Sequence, residues 1–160
     1  WNWKRASLLP RSANWKNSLR QPCPHLGIRL AQKATNILTN ANFDIEIIEK
    51  HHNQKVDAPS GTALAIADGI NKVLDAPYDY KYDRSSDRVK RPKTEIGLHA
   101  VRGGTIVGEH EVIFAGEDEI IEINHRAMSK RIFAVGAINA AKFLKGKPSG
   151  LYSMADLMTF

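Results

Sequence analysis

The sequence predicts an α+β fold: a small mixed β-sheet of about four strands with helices packed on it. Three observations carry this expectation. The branched apolar run Phe43-Asp44-Ile45-Glu46-Ile47-Ile48 has the length of a strand and leads through a polar loop into Leu64, Ala67, Ile70 and Val73, which recur at helical spacing. Segments 94–102 and 105–114 read as strands flanking Gly103-Gly104, and an Ile-rich segment, 119–125, follows Glu117-Asp118. Beyond Ser129, a good N-cap, residues Ile132, Phe133, Val135, Ala137, Ile138, Ala141 and Leu144 form a helix that is apolar around much of its circumference.

The chain of 160 residues suggests one domain, or one and a fraction, long enough to bury a core. Its single Cys excludes an internal disulfide framework, and no apolar run approaches a membrane span; both are compatible with a cytoplasmic protein. The formal charge of +6 is unevenly placed. Residues 1–43 hold seven Lys or Arg and no acid, whereas the remainder holds sixteen basic and seventeen acidic residues. Residues 1–25 thus form an atypical basic leader with three Trp and no sustained periodicity, expected to be irregular. Such a composition also suits a plastid-type transit segment or, with its interleaved Trp, a basic arm that touches nucleic acid. The second reading predicts steeply salt-dependent oligonucleotide binding that is lost on deleting residues 1–25.

The elements follow in order. Leu30, Ala34, Ile37 and Leu38 place an amphipathic helix over 26–38. The strand from 43 to 50 leads into a helix over 61–75. Residues 75–93 are polar, with Tyr78, Tyr80, Tyr82 and, among their cations, the five Lys81, Arg84, Arg88, Lys90 and Arg91, and read as a mobile connection or, alternatively, a phosphate-binding loop. Gly103-Gly104 suits a tight two-residue hairpin turn between the segments beside it. His99, His110 and His125 lie on strands; their spacing matches no zinc pattern and no Cys accompanies them, so they read as core or edge histidines rather than a metal site. Gly146 ends the last helix and Pro148 prevents its resumption.

The chemistry concentrates between strand and helix, in Glu49-Lys50-His51-His52-Asn53-Gln54-Lys55-Val56-Asp57-Ala58-Pro59-Ser60-Gly61-Thr62-Ala63. Ser60 is a good N-cap, and the free N–H groups of Gly61 and Thr62 at the positive end of a helix favour a carboxylate or phosphate. Lys55 adds a full charge, and His51 and His52 add imidazoles able to move a proton near neutral pH. Taken singly, a Ser-Gly-Thr helix start is commonly only a cap and a His pair commonly only solvated. Their conjunction within a dozen residues suggests a small anionic substrate that gains a proton.

Residues 49–63 also resemble the signature Glu-x-His-His-x-x-Lys-x-Asp-x-Pro-Ser-Gly-Thr-Ala of the dihydrodipicolinate reductase family, with every fixed position matched. Arg102-Gly103-Gly104-Thr105-Ile106-Val107-Gly108-Glu109-His110-Glu111-Val112 is similar to the family's following hairpin. Ile123-Asn124-His125-Arg126-Ala127, with Phe133-Ala134-Val135-Gly136-Ala137, resembles its entry into the last helix. The likeness covers about residues 30–158. It implies the family's C-terminal substrate and tetramerisation domain, with the N-terminal Rossmann half largely missing: a basic leader over 1–25, a substrate-binding and oligomerisation domain over 26–128, and a C-terminal helix and tail over 129–160 that in the family pack on the cofactor domain.

What the resemblance implies for chemistry is specific. His51 is the proton donor or acceptor and Lys55 a second proton donor, while His52, Gly61 and Thr62 bind substrate. The reaction implied is reduction of 4-hydroxy-tetrahydrodipicolinate by NADH or NADPH to tetrahydrodipicolinate, in lysine and diaminopimelate biosynthesis, by a homotetramer acting on a small dicarboxylate without nucleic-acid or membrane partners. No Gly-x-Gly-x-x-Gly follows a first strand, and Gly103 to Gly108 is followed by Glu109 and His110 where a phosphate loop needs Lys and Ser or Thr. The alternative therefore stays open that the chain is a catalytically inactive dicarboxylate-binding or assembly module.

Overall fold

A computed structural model of the chain describes residues 22–157. They divide between a compact unit Pro24–Lys130 and a second unit that takes in the described residues from Arg131 onward. The expectations for the leader lie outside the described residues, apart from its last four positions.

Those four positions are helical. Helix α1 is Pro22–Leu38 and starts before the expected Leu26, because proline is tolerated in a first turn, where backbone N–H groups have no intrahelical acceptor to lose. A short 3-10 turn, Thr39–Ala41, closes on Asn42 in the left-handed region and delivers the chain to strand β1, Asp44–His51. Helix α2 is Gly61–Asn71, shorter than the 61–75 expected. Strands β2, Asp79–Lys81, β3, Glu95–Arg102, β4, Glu109–Ala115, and β5, Ile120–Arg126, complete a single mixed sheet of five strands in the order β2-β3-β1-β4-β5. The α+β reading holds, with one strand more than the sequence suggested.

Two local expectations are corrected. Residues 94–102 and 105–114 do not form a hairpin: β3 runs parallel to β1 on one side and β4 antiparallel to it on the other. The glycine pair bonds to the end of β1 instead, with Gly103 N–H donating to the His51 carbonyl at 2.9 Å and Asn53 N–H donating to the Gly104 carbonyl at 3.2 Å. Only Gly104 has positive φ, 47°, whereas the commonest two-residue hairpin turn with an adjacent glycine pair needs it at both central residues. The segment 103–108 is thus a crossover passing over the end of β1.

Residues 75–93 likewise hold β2 and are pinned at several points. The Asn71 side chain bonds both ways to the Tyr78 backbone, at 2.9 and 3.0 Å, and the Tyr80 hydroxyl donates to Asp68 at 2.7 Å. Burial, then the hydrogen bond to Asp68, push the Tyr80 phenol up to about 12. Arg91 donates to the carbonyls of Ile45 and Glu95 and to the Glu46 carboxylate, Lys81 pairs with Asp87, and Arg84 pairs with Glu95. Three of the five cations proposed for a phosphate loop therefore already neutralise carboxylates.

The core lies on one face of the sheet. Ile45 and Ile47 of β1, Ile96 and Leu98 of β3 and Val112 and Phe114 of β4 meet Ala63, Ile66, Ala67 and Ile70 of α2, with Ala31 of α1 outside them. Alternation along β1 puts Asp44, Glu46, Ile48 and Lys50 on the other face, where His99 pairs with Glu46 at 2.8 Å. The two helices approach closely at Gly69, where an added Cβ lies 2.6 Å from Ile28 Cγ2, and Gln32 donates to the Gly69 carbonyl at 3.0 Å. Truncating a core isoleucine here to alanine costs about 2–5 kcal/mol.

In the second unit, helix α3 is Arg131–Leu144 and stops at Gly146, whose φ of 81° makes the left-handed C-terminal turn the sequence predicts. A single helical turn, α4, Met154–Leu157, folds back on it, with the Phe143 and Tyr152 rings edge to face at 5.9 Å. Asp156 accepts from the Ser153 backbone and hydroxyl, which hold its carboxyl below the usual range. Val135 and Ile138 of α3 are more than half exposed.

Candidate functional site

β1 and β3 are parallel, so their carboxyl ends lie side by side, and the register pairs His51 with Arg102. Crevices at such strand ends are where open sheets hold ligands. His51 is the last residue of β1 rather than part of the loop after it. Because side chains alternate along a strand, His51 shares the core-side face with Glu49, while Lys50 turns to the opposite face and bridges toward Glu109 and Glu111.

Glu49 is fully buried, and four donors converge on its carboxylate. Arg102 grips it with both terminal nitrogens, Nη1 to Oε2 at 2.8 Å and Nη2 to Oε1 at 2.7 Å. The Ser60 N–H reaches Oε1 at 2.9 Å, and His51 Nδ1 lies 2.5 Å from Oε2. Burial alone would raise this carboxyl, but the bonds from Arg102, His51 and Ser60 outweigh it and hold the group below its ordinary value, ionised. The pairing in turn holds the Arg102 guanidinium above its usual range. Arg102 also donates to the Asp57 carbonyl at 2.6 Å, which ties down the loop between His51 and Ser60.

That loop ends as the sequence predicts. Ser60 has extended backbone, φ −67° and ψ 151°, and its Oγ accepts from the Ala63 N–H at 3.2 Å, capping α2. Gly61 is exposed, and a Cβ built on it meets nothing within 4 Å, so the first turn of α2 is open to an incoming group; Thr62 beside it is buried. His52 is half-buried. Lys55 Nζ donates to Asp57 Oδ1 at 2.7 Å, and this ammonium is the main reason the Asp57 carboxyl lies below its usual range.

A second histidine completes the cluster. His110 sits opposite Glu49 on β4, is buried, and has its Nε2 3.1 Å from Ser60 Oγ; its Nδ1 is buried with no hydrogen-bond partner. Its ring meets that of His51 edge to face at 5.2 Å. Burial, then the neighbouring His51, push His110 down to about 4, with Glu49 opposing and His125 and Lys55 adding to the fall. His110 is therefore neutral at pH 7. His125, beyond it on β5, is also lowered by burial.

The structure thus gathers His51, Ser60 and the Gly61–Thr62 helix start around one carboxylate. Lys55 is close enough to act electrostatically on His110, whereas His99 faces the other side of the sheet. Glu49 is a fixed position of the signature and Arg102 opens the second block that resembles the family, yet the sequence reading gives neither a role at the site. The available signal is positional: an acid two residues before a strand-end histidine must share its face. Arg102, far away in sequence, becomes a partner only through the β1–β3 register.

Among the described residues, the strand-to-helix turn at 52–60 is taken up by Pro59 and by Ser60, which is engaged with Glu49 and His110. It lacks the glycine-rich path by which a dinucleotide pyrophosphate approaches a helix start. These residues fit a carboxylate and do not fit a nicotinamide dinucleotide. No group of three or more His, Cys, Asp or Glu among them is arranged to hold a metal ion, and no helix among them is long and apolar enough to cross a membrane.

Comparison with known proteins gives concordant matches. A family model described as dihydrodipicolinate reductase, C-terminus, matches residues 25–158. A 4-hydroxy-tetrahydrodipicolinate reductase of Caldanaerobacter subterraneus subsp. tengcongensis is 57% identical over 131 residues, 82% of this chain and 51% of the relative. That of Clostridium tetani is 61% identical over 113 residues, 71% of this chain and 44% of the relative. The chain spans about half the length of the curated relatives it matches. Among solved structures, dipicolinate-bound dihydrodipicolinate reductase from Paenisporosarcina sp. TG-14 is similar with a TM-score of 0.53 at 27% identity, over 84% of this chain and 47% of that one.

Proposed function

The chain belongs to the dihydrodipicolinate reductase family, and from that premise we propose that it supplies substrate binding and proton transfer for the reduction of 4-hydroxy-tetrahydrodipicolinate to tetrahydrodipicolinate, in lysine and diaminopimelate biosynthesis. NADH or NADPH, when bound, supplies the hydride. The described residues offer no cradle for it, and no step through it is assigned to them.

In this reading one ring carboxylate of the substrate docks on the N–H groups of Gly61 and Thr62, with His52 beside it, and the positive end of the helix dipole balances the charge. His51 moves the proton, and Lys55 is a second donor once it leaves Asp57. Neutralising the carboxylates also draws electrons from the ring and makes it a better hydride acceptor. The observation that carries the reading is the shared anchor: Glu49 binds both His51 Nδ1 and the Ser60 N–H. The proton-transfer group and the anion-binding helix start are therefore held together. The dipicolinate bound to the related solved structure supports a dicarboxylate ligand.

The test is calorimetry of the chain with pyridine-2,6-dicarboxylate, followed by absorbance of reduced nicotinamide in the presence of substrate. Binding with oxidation supports the full reading, whereas no dicarboxylate binding disposes of it. Binding without oxidation favours the second reading, a catalytically inactive dicarboxylate-binding or assembly module. Exposed Val135 and Ile138 on α3 suit packing against a cofactor domain. The sheet face bearing Lys50, Glu109 and Arg126 suits assembly into a homotetramer, to be checked by light scattering. A cytoplasmic location goes with this metabolic role.

A further inference from the structure

We infer that Glu49 is a positioning residue for the proton transfer, fixing the ring orientation and protonated nitrogen of His51, and that Arg102 holds Glu49 in place for this task. The inference rests on the reading of His51 as the proton-transfer group, but it concerns residues to which that reading gives no role.

The geometry is restrictive. Glu49 offers two oxygens, and four donors occupy them: two from Arg102, one from the Ser60 backbone and one from His51. Three of these are obligatory donors, since neither a guanidinium nor a backbone N–H can accept. The carboxylate is thereby kept anionic and fixed in a plane, and it faces His51 Nδ1 with an acceptor. His51 must then carry hydrogen on Nδ1, which leaves Nε2 as the nitrogen that exchanges a proton with a ligand.

The ring has little freedom to turn away. On its far side Gly108, in the crossover above β1, has no side chain; a Cβ there lies 3.0 Å from His51 Nε2. His110 stands edge-on at 5.2 Å, and only 12% of the His51 side chain is exposed. An imidazole boxed in this way keeps one orientation between turnovers. Orientation held in advance lowers the entropy lost on reaching the transition state.

Glu49→Gln tests this, because an amide has one acceptor and one donor edge. If its oxygen stays with the Ser60 N–H and Arg102 Nη2, its NH2 takes the place of Oε2, gives up the bond from Arg102 Nη1 and faces His51 Nδ1, which must become an acceptor, so the ring proton moves to Nε2. Long-range nitrogen–proton correlation spectra of the histidine rings, recorded on the chain at pH 7.5, read this directly. Nδ1 protonated in the wild type and bare in E49Q is the expected result. Nδ1 bare in the wild type overturns the inference whether or not E49Q folds, and so does a folded E49Q that keeps Nδ1 protonated. A carboxylate with only a structural role would change stability and leave the tautomer unmoved. Titrating pyridine-2,6-dicarboxylate into the wild type while following the Gly61 and Thr62 amides separates the two ideas. Unmoved amides sink the binding reading and leave the tautomer result standing, whereas shifted amides with the wrong tautomer sink only the inference.

Discussion

Acidification is expected to destabilise the Pro24–Lys130 unit through His110. His110 is buried, one nitrogen faces Ser60 Oγ and the other has no partner, so protonating it in place puts a charge among groups that cannot solvate it. Its folded value of about 4 lies below the 6.5 of the free side chain. Between these values the unfolded chain binds a proton that the folded chain refuses. The stability due to His110 is therefore fully present above pH 6.5 and is lost as pH falls toward 4. The difference corresponds to about 3 kcal/mol, lost at a limiting slope of about 1.4 kcal/mol per pH unit. His125, also lowered by burial, acts in the same direction, whereas the stability due to Glu49, held below its ordinary 4.5, is present above that pH and is lost only as pH falls below it. Urea unfolding midpoints measured from pH 7.5 to 4.5 for the wild type and His110→Gln provide the assay. Glutamine can donate to Ser60 Oγ but does not titrate, so its curve is expected to be the flatter by most of that 3 kcal/mol. Parallel curves would refute the reasoning.

Other perturbations have equally definite outcomes. Arg102→Met leaves the Glu49 charge buried with its chief partner gone and is expected to cost about 3–5 kcal/mol, read from the shift in urea midpoint at pH 7.5. Gly61→Val adds a side chain where nothing stands within 4 Å, so stability is expected to change by less than about 1 kcal/mol while pyridine-2,6-dicarboxylate affinity falls; unchanged affinity by calorimetry places the ligand elsewhere. Gly69→Val drives its side chain into Ile28 and is expected to lower stability by about 1–3 kcal/mol, seen as a lower thermal midpoint. His51→Gln, introduced where reductase turnover is measurable, is expected to slow it by about 10²–10⁴-fold, and an unchanged rate counts against proton transfer by His51.

Local chemistry made much of this molecule readable in advance. The strand at Ile45–Ile48 and the helix from Gly61 follow from periodicity, and the Ser60 cap and the Gly146 stop follow from the backbone preferences of those residues. The misread regions have a common cause. Gly103-Gly104 has the composition of a hairpin turn, but its hydrogen bonds go to His51 at the end of a third strand and to Asn53 in the loop after it, which no property of the turn itself foretells. Residues 75–93 look polar and loose, yet Arg91 and Asn71 fasten them through partners placed by the sheet.

For the candidate site, sequence alone determined which chemical groups are present and that His51, Lys55, Ser60, Gly61 and Thr62 lie within one short stretch. Tertiary structure decided what orients them. The parallel register of β1 and β3 brings Arg102 onto Glu49, β4 sets His110 against Ser60, and the crossover places Gly108 on His51. Those partners are some fifty residues apart in the chain, and a hydrogen bond needs them within about 3 Å. Only the pairing of strands imposes such a distance, because no rule of spacing reaches that far along a chain.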